Sequence, residues 1–220
     1  MTGLQHRSFF LFLLFYITIT QDMKKSKSFT IVLLTVAGVL LLDQGLKLWV
    51  HTHMHPGESL YILGEKFQLH YILNNGMAFG MQWGGNAGKL FLTLFRMLAV
   101  GVIAWYLRSL IKKGAPAGLI FSLSLILAGA LGNIIDSMFY GILFQNKPFL
   151  FGEVIDMLYF PLFHFQLPAW LPVWGGEEFE FFRPVFNIAD SAITTGVLVI
   201  LVFQRKFFDS SETAVVTNKK

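Results

Sequence analysis

The chain has 220 residues, 55% hydrophobic and 14% charged, with no cysteine and a formal net charge of +4. Soluble domains carry roughly 25% charged residues, so this composition excludes a soluble enzyme and indicates a membrane protein of one compact unit. The missing cysteines exclude disulfides, thiolate nucleophiles and cysteine metal sites, and no basic run with interleaved aromatics supports a nucleic-acid partner.

Residues 9–20 are apolar but shorter than the about 20 residues that cross a hydrocarbon core of about 30 Å. Met23, followed by Lys24 and Lys25, reads as a natural start ahead of an apolar span. Residues 1–22 then read as an extension rather than a signal peptide, because no small-residue cleavage site follows them. Span one is expected at about 29–50. Asp43 and Lys47 lie four apart in it and can pair on one helix face. They read either as an ion pair at a helix end, with Lys47 snorkelling to the interface, or as part of a site.

His51, His53 and His55 alternate, which would put all three on one side of a strand and suit a metal ion. No fourth ligand is in view, polar surface is the simpler reading, and no metal or cofactor is expected. Residues 60–63 and 67–73 flank a short turn at Gly64 and predict a hairpin. The Asn74-Asn75-Gly76 step is ordinary turn chemistry, or it projects the Asn74 amide toward a substrate backbone.

Span two is expected at about 89–110, with the basic cluster Arg108, Lys112 and Lys113 at its end. Span three, 115–136, carries Gly118, Ser122, Ala128, Gly129, Ala130 and Gly132, small residues that let membrane helices approach closely. Packing does not explain Asn133 and Asp136. Residues 137–185 are rich in Trp and Phe, and Pro161, Pro168 and Pro172 argue against one helix. This segment reads as an irregular flap on the lipid headgroups, with Trp170 and Trp174 in the interfacial belt. It contains Asp156. Span four, 186–206, opens on Phe186-Asn187-Ile188-Ala189-Asp190-Ser191.

The organisation expected is therefore an extension with a basic head over 1–27, a four-helix membrane unit over 28–207 with outer loops 51–88 and 137–185, and a tail over 208–220. Basic residues gather before span one, between spans two and three, and after span four, which predicts both termini on the cytoplasmic side. Asp43, Asn133, Asp136, Asp156, Asn187 and Asp190 then fall near the outer face.

An ionisable residue at the mouth of a span is by default a functional-site hypothesis with a partner to be named. For Asp190 that partner is Asp156. Two close carboxylates cannot both ionise, so they share a proton: the ionised member activates water and the protonated one polarises a carbonyl. Asn187, three residues before Asp190, serves either as a helix cap or to orient a carboxylate or the peptide. Two rivals are a small transporter using Asp43, Asp136 and Asp190 as a cation path, and a metal hydrolase built on the three histidines. No inverted repeat supports the first, and no His-Glu-x-x-His helix supports the second.

Five motifs occur in the order seen in bacterial type II signal peptidases: Asp43-Gln44-Gly45-Leu46-Lys47, Asn74-Asn75-Gly76-Met77-Ala78-Phe79, Gly129-Ala130-Leu131-Gly132-Asn133-Ile134-Ile135-Asp136, Val154-Ile155-Asp156 and Phe186-Asn187-Ile188-Ala189-Asp190-Ser191. The chain resembles that family over about residues 28–206. The resemblance implies a mainly α membrane protein with four transmembrane helices, a small periplasmic β-sheet and an interfacial aromatic flap. It implies an aspartyl endopeptidase of the bacterial inner membrane, with its active site at the periplasmic face and acting as a monomer without cofactor. Its partners would be diacylglyceryl-modified prolipoproteins and membrane lipid, with the cut just before the lipidated cysteine. Asp156 and Asp190 would be catalytic, with Asp43, Lys47, Asn74, Gly132, Asn133, Asp136 and Asn187 supporting. The family usually has arginine where Ser137 stands, so the supporting cation is expected from elsewhere, Arg183 or Lys147, or to be absent. Met77 departs more mildly. The interval between the two catalytic aspartates is longer than the family norm, and the additional aromatic segment is expected to act as a larger lid.

Overall fold

A computed structural model describes residues 3–75, 85–161, 163–166, 168–170, 172, 176, 178–181 and 184–208. Helix α1 runs unbroken from Gly3 to His53, α2 from Gly85 to Lys113, α3 from Ala117 to Ile135, and α5 from Ile188 to Val202. At the end of α3 the chain makes one π turn, Asp136–Tyr140, and then a short helix α4, Gly141–Phe144. Such a turn inserts a residue into the helical register and is frequent at functional sites. Here it turns Asp136, Ser137 and Tyr140 inward, all buried.

Stretches within Asp22–His53, Gly85–Lys113 and Ala117–Phe144 are long and apolar enough to cross a membrane, and Ile188–Val202 is a shorter apolar helix. The central helix is α3: 61% of its apolar window is buried, against 6% for α1 and 11% for α2. Small residues put it there. A Cβ on Gly129 would strike the Ala189 carbonyl, one on Gly132 would lie 2.7 Å from Asp43 Oδ2, and one on Gly196 of α5 would lie 2.5 Å from the Ser122 carbonyl. On the other flank, Leu107, Ile120 and Leu127 form an apolar core with Ile31, Val36 and Ile103.

Beyond the helices, β1 (Ser59–Tyr61), β2 (Gln68–Asn74), β3 (Val154–Tyr159) and β6 (Val185–Phe186) form an antiparallel sheet in the order β1-β2-β3-β6. The expected hairpin is β1–β2, turned at Gly64 with φ +55, though its first strand is shorter than residues 60–63 suggested. Strands β4 (Phe163–Gln166) and β5 (Glu178–Phe181) form a separate antiparallel hairpin. The segment 137–185 is thus not an irregular flap throughout. Its residues Val154-Ile155-Asp156-Met157 are buried on both faces of the sheet, a pattern without the alternation that marks a strand in sequence.

Side chains alternate across a strand. Leu69, Tyr71, Ile155 and Met157 therefore point into one core with Val50, Met54 and Tyr140, while Asn74 and Asp156 point to the other face. The register pairs Ile72 with Asp156 and Asn74 with Val154, which makes Asn74 the diagonal neighbour of Asp156.

His51 and His53 end α1 rather than alternate on a strand, so they do not share a side. The His51 ring lies 3.0 Å from the Tyr71 hydroxyl, and His53 lies 2.9 Å from the Trp49 carbonyl. The backbone of His55 donates to Glu58. Among the described residues no group of His, Asp or Glu is placed to hold a metal ion.

Candidate active site

The site grows from a buried ion cluster. Lys47 Nζ lies 2.8 Å from Asp43 Oδ2 and 2.8 Å from Asp136 Oδ2, with all three side chains fully buried. Lys47 therefore does not snorkel. Burying an ion pair is costly unless the remaining lone pairs are also satisfied, and here they are. Asp43 Oδ1 accepts from the Ala189 amide at 2.9 Å, Asp136 Oδ2 from the Ile155 amide at 3.2 Å, and Asp136 Oδ1 from Gln44 Nε2 at 2.9 Å. Tyr140 donates to Gln44 Oε1 at 2.9 Å. The two amides belong to residues next to Asp156 and Asp190. The cluster thus ties α1 and α3 to the backbone that carries both aspartates.

Lys47 also donates to Asn133 Oδ1 at 3.2 Å. An amide whose oxygen faces an ammonium must turn its nitrogen the other way, and Asn133 Nδ2 donates to Asp190 Oδ1 at 2.8 Å. The chain of orientation runs from Asp136 through Lys47 and Asn133 to Asp190.

Asn187 completes the set. As the cap of α5, its Oδ1 accepts from the Asp190 amide at 2.9 Å, while Asp190 reaches back to the Asn187 amide. Its Nδ2 donates to Asp156 Oδ1 at 2.7 Å and to Asn133 Oδ1 at 3.1 Å. Asn187 therefore both caps α5 and hydrogen-bonds the Asp156 carboxyl. Asn74 donates to Asp156 Oδ2 at 2.8 Å. Both Asp156 oxygens are met by neutral amides.

Asp156 is 2% exposed, and burial pushes its carboxyl up to about 7. The Asn74 and Asn187 hydrogen bonds and Lys47 oppose the rise, while the nearby Asp190 charge adds to it. Asp190 is only half-buried. A buried carboxyl that favours its proton, beside a more accessible carboxyl, is an arrangement that acid–base hydrolysis by water can use. Gly132 is structural: its carbonyl accepts from Gln44 Nε2 at 3.2 Å, and its missing Cβ admits Asp43.

Gln44 and Tyr140 were not singled out in the sequence, and neither was the polar face of α2. Lys89, Thr93 and Arg96 recur at helical spacing on it. Lys89 donates to the Asn75 carbonyl at 3.1 Å, Thr93 to the Leu150 carbonyl at 3.1 Å, and Arg96 to Ser137 Oγ at 3.5 Å. The 3.6-residue recurrence was the available signal, hidden in an otherwise apolar span. Lys147, expected near the pair, bonds Glu153 instead at 2.7 Å. Arg183 and Gly76-Met77-Ala78-Phe79 lie outside the described residues.

Comparison with known proteins points to one family. A family model described as signal peptidase (SPase) II matches residues 35–206. The lipoprotein signal peptidase of Porphyromonas gingivalis is 44% identical over 180 residues, covering 74% of this chain and 78% of that protein. That of Amoebophilus asiaticus is 42% identical over 175 residues, covering 76% and 74%. A solved bacterial membrane enzyme superposes with a TM-score of 0.55 at 26% identity, covering 80% of this chain and 87% of that one.

Proposed function

The chain belongs to the signal peptidase II family, and from that premise we propose that Asp156 and Asp190 are its catalytic pair. Membership makes it an aspartic endopeptidase of the membrane that removes signal peptides from lipoprotein precursors. The transporter reading is not favoured, since the family and the relatives are peptidases.

The observation that carries the assignment is the shared amide. Asn187 donates to Asp156 while its backbone and side chain cap the helix that presents Asp190. In our reading the buried Asp156 holds the proton and donates to the scissile carbonyl oxygen. The half-buried Asp190 takes a proton from the attacking water. Asn74, Asn133 and Asn187 keep the lone pairs aimed so that little reorganisation is needed during reaction. The tetrahedral intermediate collapses as Asp190 passes its proton to the leaving amine and Asp156 recovers its own from a hydroxyl of the intermediate.

The finer reading has four crossings, with α5 as the fourth. Lys24, Lys25, Lys27, Arg108, Lys112, Lys113, Arg205 and Lys206 lie at the cytoplasmic ends, and the pair lies at the periplasmic face. A diacylglyceryl group on the precursor cysteine would anchor the substrate in lipid, level with the pair, and the cut would fall just before that cysteine. The β4–β5 hairpin is read as the lid over it. One chain holds the whole polar set, which supports a monomer, with residues 28–207 as the working unit.

The test is direct. Purified protein should cut a diacylglyceryl-modified precursor, leave an unmodified control uncut, and be indifferent to chelator. Product masses would locate the cut. Equal cleavage of the unmodified control would overturn the substrate reading, and chelator sensitivity would overturn the metal-free one.

A further inference from the structure

We propose that Arg96 of α2 is the charge-balancing and positioning cation of the Asp156–Asp190 pair. The inference rests on the pair being catalytic. Its basis is the charge balance around the site. Lys47 is held between Asp43 and Asp136 and has no charge to spare for the pair. The catalytic pair, sharing one proton, carries one negative charge. Lys147 is held by Glu153 at 2.7 Å, and Lys89 is turned to the Asn75 carbonyl. Arg96 lies within electrostatic reach of Asp190, Asp156 and Asp136 together. In a low-dielectric surrounding, uncompensated negative charge would hold both carboxyls protonated and leave no base.

Geometry brings Arg96 there. Lys89 and Thr93 fix the same face of α2 to the segments that follow β2 and precede β3. Arg96 reaches Ser137 on the π turn, and the Ser137 hydroxyl in turn donates to the Asn133 carbonyl at 3.0 Å. Ser137 is fully buried. A side chain this small leaves the space beside Asn133 open to a guanidinium from the neighbouring helix. Arginine suits the place because it stays charged when partly desolvated. Among the described residues, the charged groups facing this region are Asp43 and Lys47 from α1, Arg96 from α2 and Asp136 from the π turn, with Lys89 further along the same face of α2, near Lys147 and Glu153 of the segment before β3.

The test compares Arg96→Gln and Arg96→Lys with wild type, reading kcat and kcat/KM against pH together with thermal unfolding in detergent. Arg96→Asp would risk misfolding, so the near-isosteric neutral variant is used, and the lysine variant keeps the charge. Removing a nearby cation raises carboxyl pKa values. Arg96→Gln should therefore shift the acid limb of the profile upward by about one unit and lower kcat by up to about tenfold at pH values on that limb. Arg96→Lys should keep the wild-type limb and most of the rate. A wild-type profile in Arg96→Gln overturns the proposal. So does a loss of rate in both variants that follows their unfolding temperature without moving the profile, since that is what a purely packing role produces. Asp156→Asn run alongside separates the two ideas: if it still cleaves, the pair itself is misassigned.

Discussion

Asp156 and Asp190, one on a strand and one on a helix, are joined through Asn187, whose Nδ2 donates to Asp156 at 2.7 Å and whose Oδ1 accepts from the Asp190 amide at 2.9 Å. One residue thus sets the start of α5 and the tilt of the buried carboxyl. Replacing it separates the two jobs. Asn187→Ala should lose about 1 kcal/mol of stability with the cap and about a hundredfold in kcat with the positioning. Asn187→Ser can still cap but cannot reach Asp156, so it should recover stability and not rate. Paired unfolding and cleavage measurements check this.

The raised Asp156 carboxyl has a consequence for stability. Its folded-state value of about 7 lies above the ordinary 3.8, so the folded protein holds the proton more tightly than the unfolded chain. Below pH 3.8 both states are protonated and nothing is lost. Between 3.8 and about 7 the unfolded chain ionises first and the folded state loses stability, on the order of 4 kcal/mol at most. Asp156→Asn removes that loss. It leaves one of the two amide donors, Asn74 or Asn187, to reorient, at about 1 kcal/mol. The variant should therefore unfold at a higher temperature than wild type at pH 8, an advantage that disappears at pH 4. Calorimetry in micelles at both values checks the sign.

Lys47→Met should be among the most damaging changes that do not touch the pair. It leaves Asp43 and Asp136 buried without their cation, and breaking one side of such a cluster typically costs about 3–5 kcal/mol. It also releases the Asn133 oxygen that Lys47 fixes, so cleavage should fall along with stability. Adding Asp136→Asn should return part of the stability, because one of the two stranded charges is removed. Thermal unfolding of single and double variants is the measurement.

At Gly129 a Cβ would meet the Ala189 carbonyl, directly before Asp190. Gly129→Ala should push α5 away from α3, at about 2 kcal/mol, and lengthen the Asn133–Asp190 hydrogen bond. The rate should drop more than stability alone explains. Gly118→Ala, which meets only the ring of Phe207 at the far end of α3, should affect the rate far less. Cleavage assayed well below both unfolding temperatures distinguishes them.

Much of the site could be read from the chain because its chemistry is local in sequence. Asp43 and Lys47 share a helix face, Asn187 and Asp190 form a reciprocal cap, and each motif keeps its spacing. What stayed hidden depends on contacts between elements. Arg96 and Gln44 look like stray polar residues until α2 and α1 are packed on α3. Residues 154–157 do not alternate, because both faces of β3 are buried, and the strand was lost among its aromatic neighbours. The histidines suggested a strand because spacing of two is a strand signal, yet α1 continues to His53. Lys47 was given a route to the interface, but Asp136, brought in by the π turn, keeps it inside.

The most direct test of the account is cleavage of a diacylglyceryl-modified precursor by Asp156→Asn and by Asp190→Asn, each first shown to be folded at the assay temperature. Each substitution alone should lower kcat by at least about a thousandfold, since neither carboxyl can do the other's work. If either variant releases the signal peptide at a rate close to wild type, these two aspartates are not the catalytic pair.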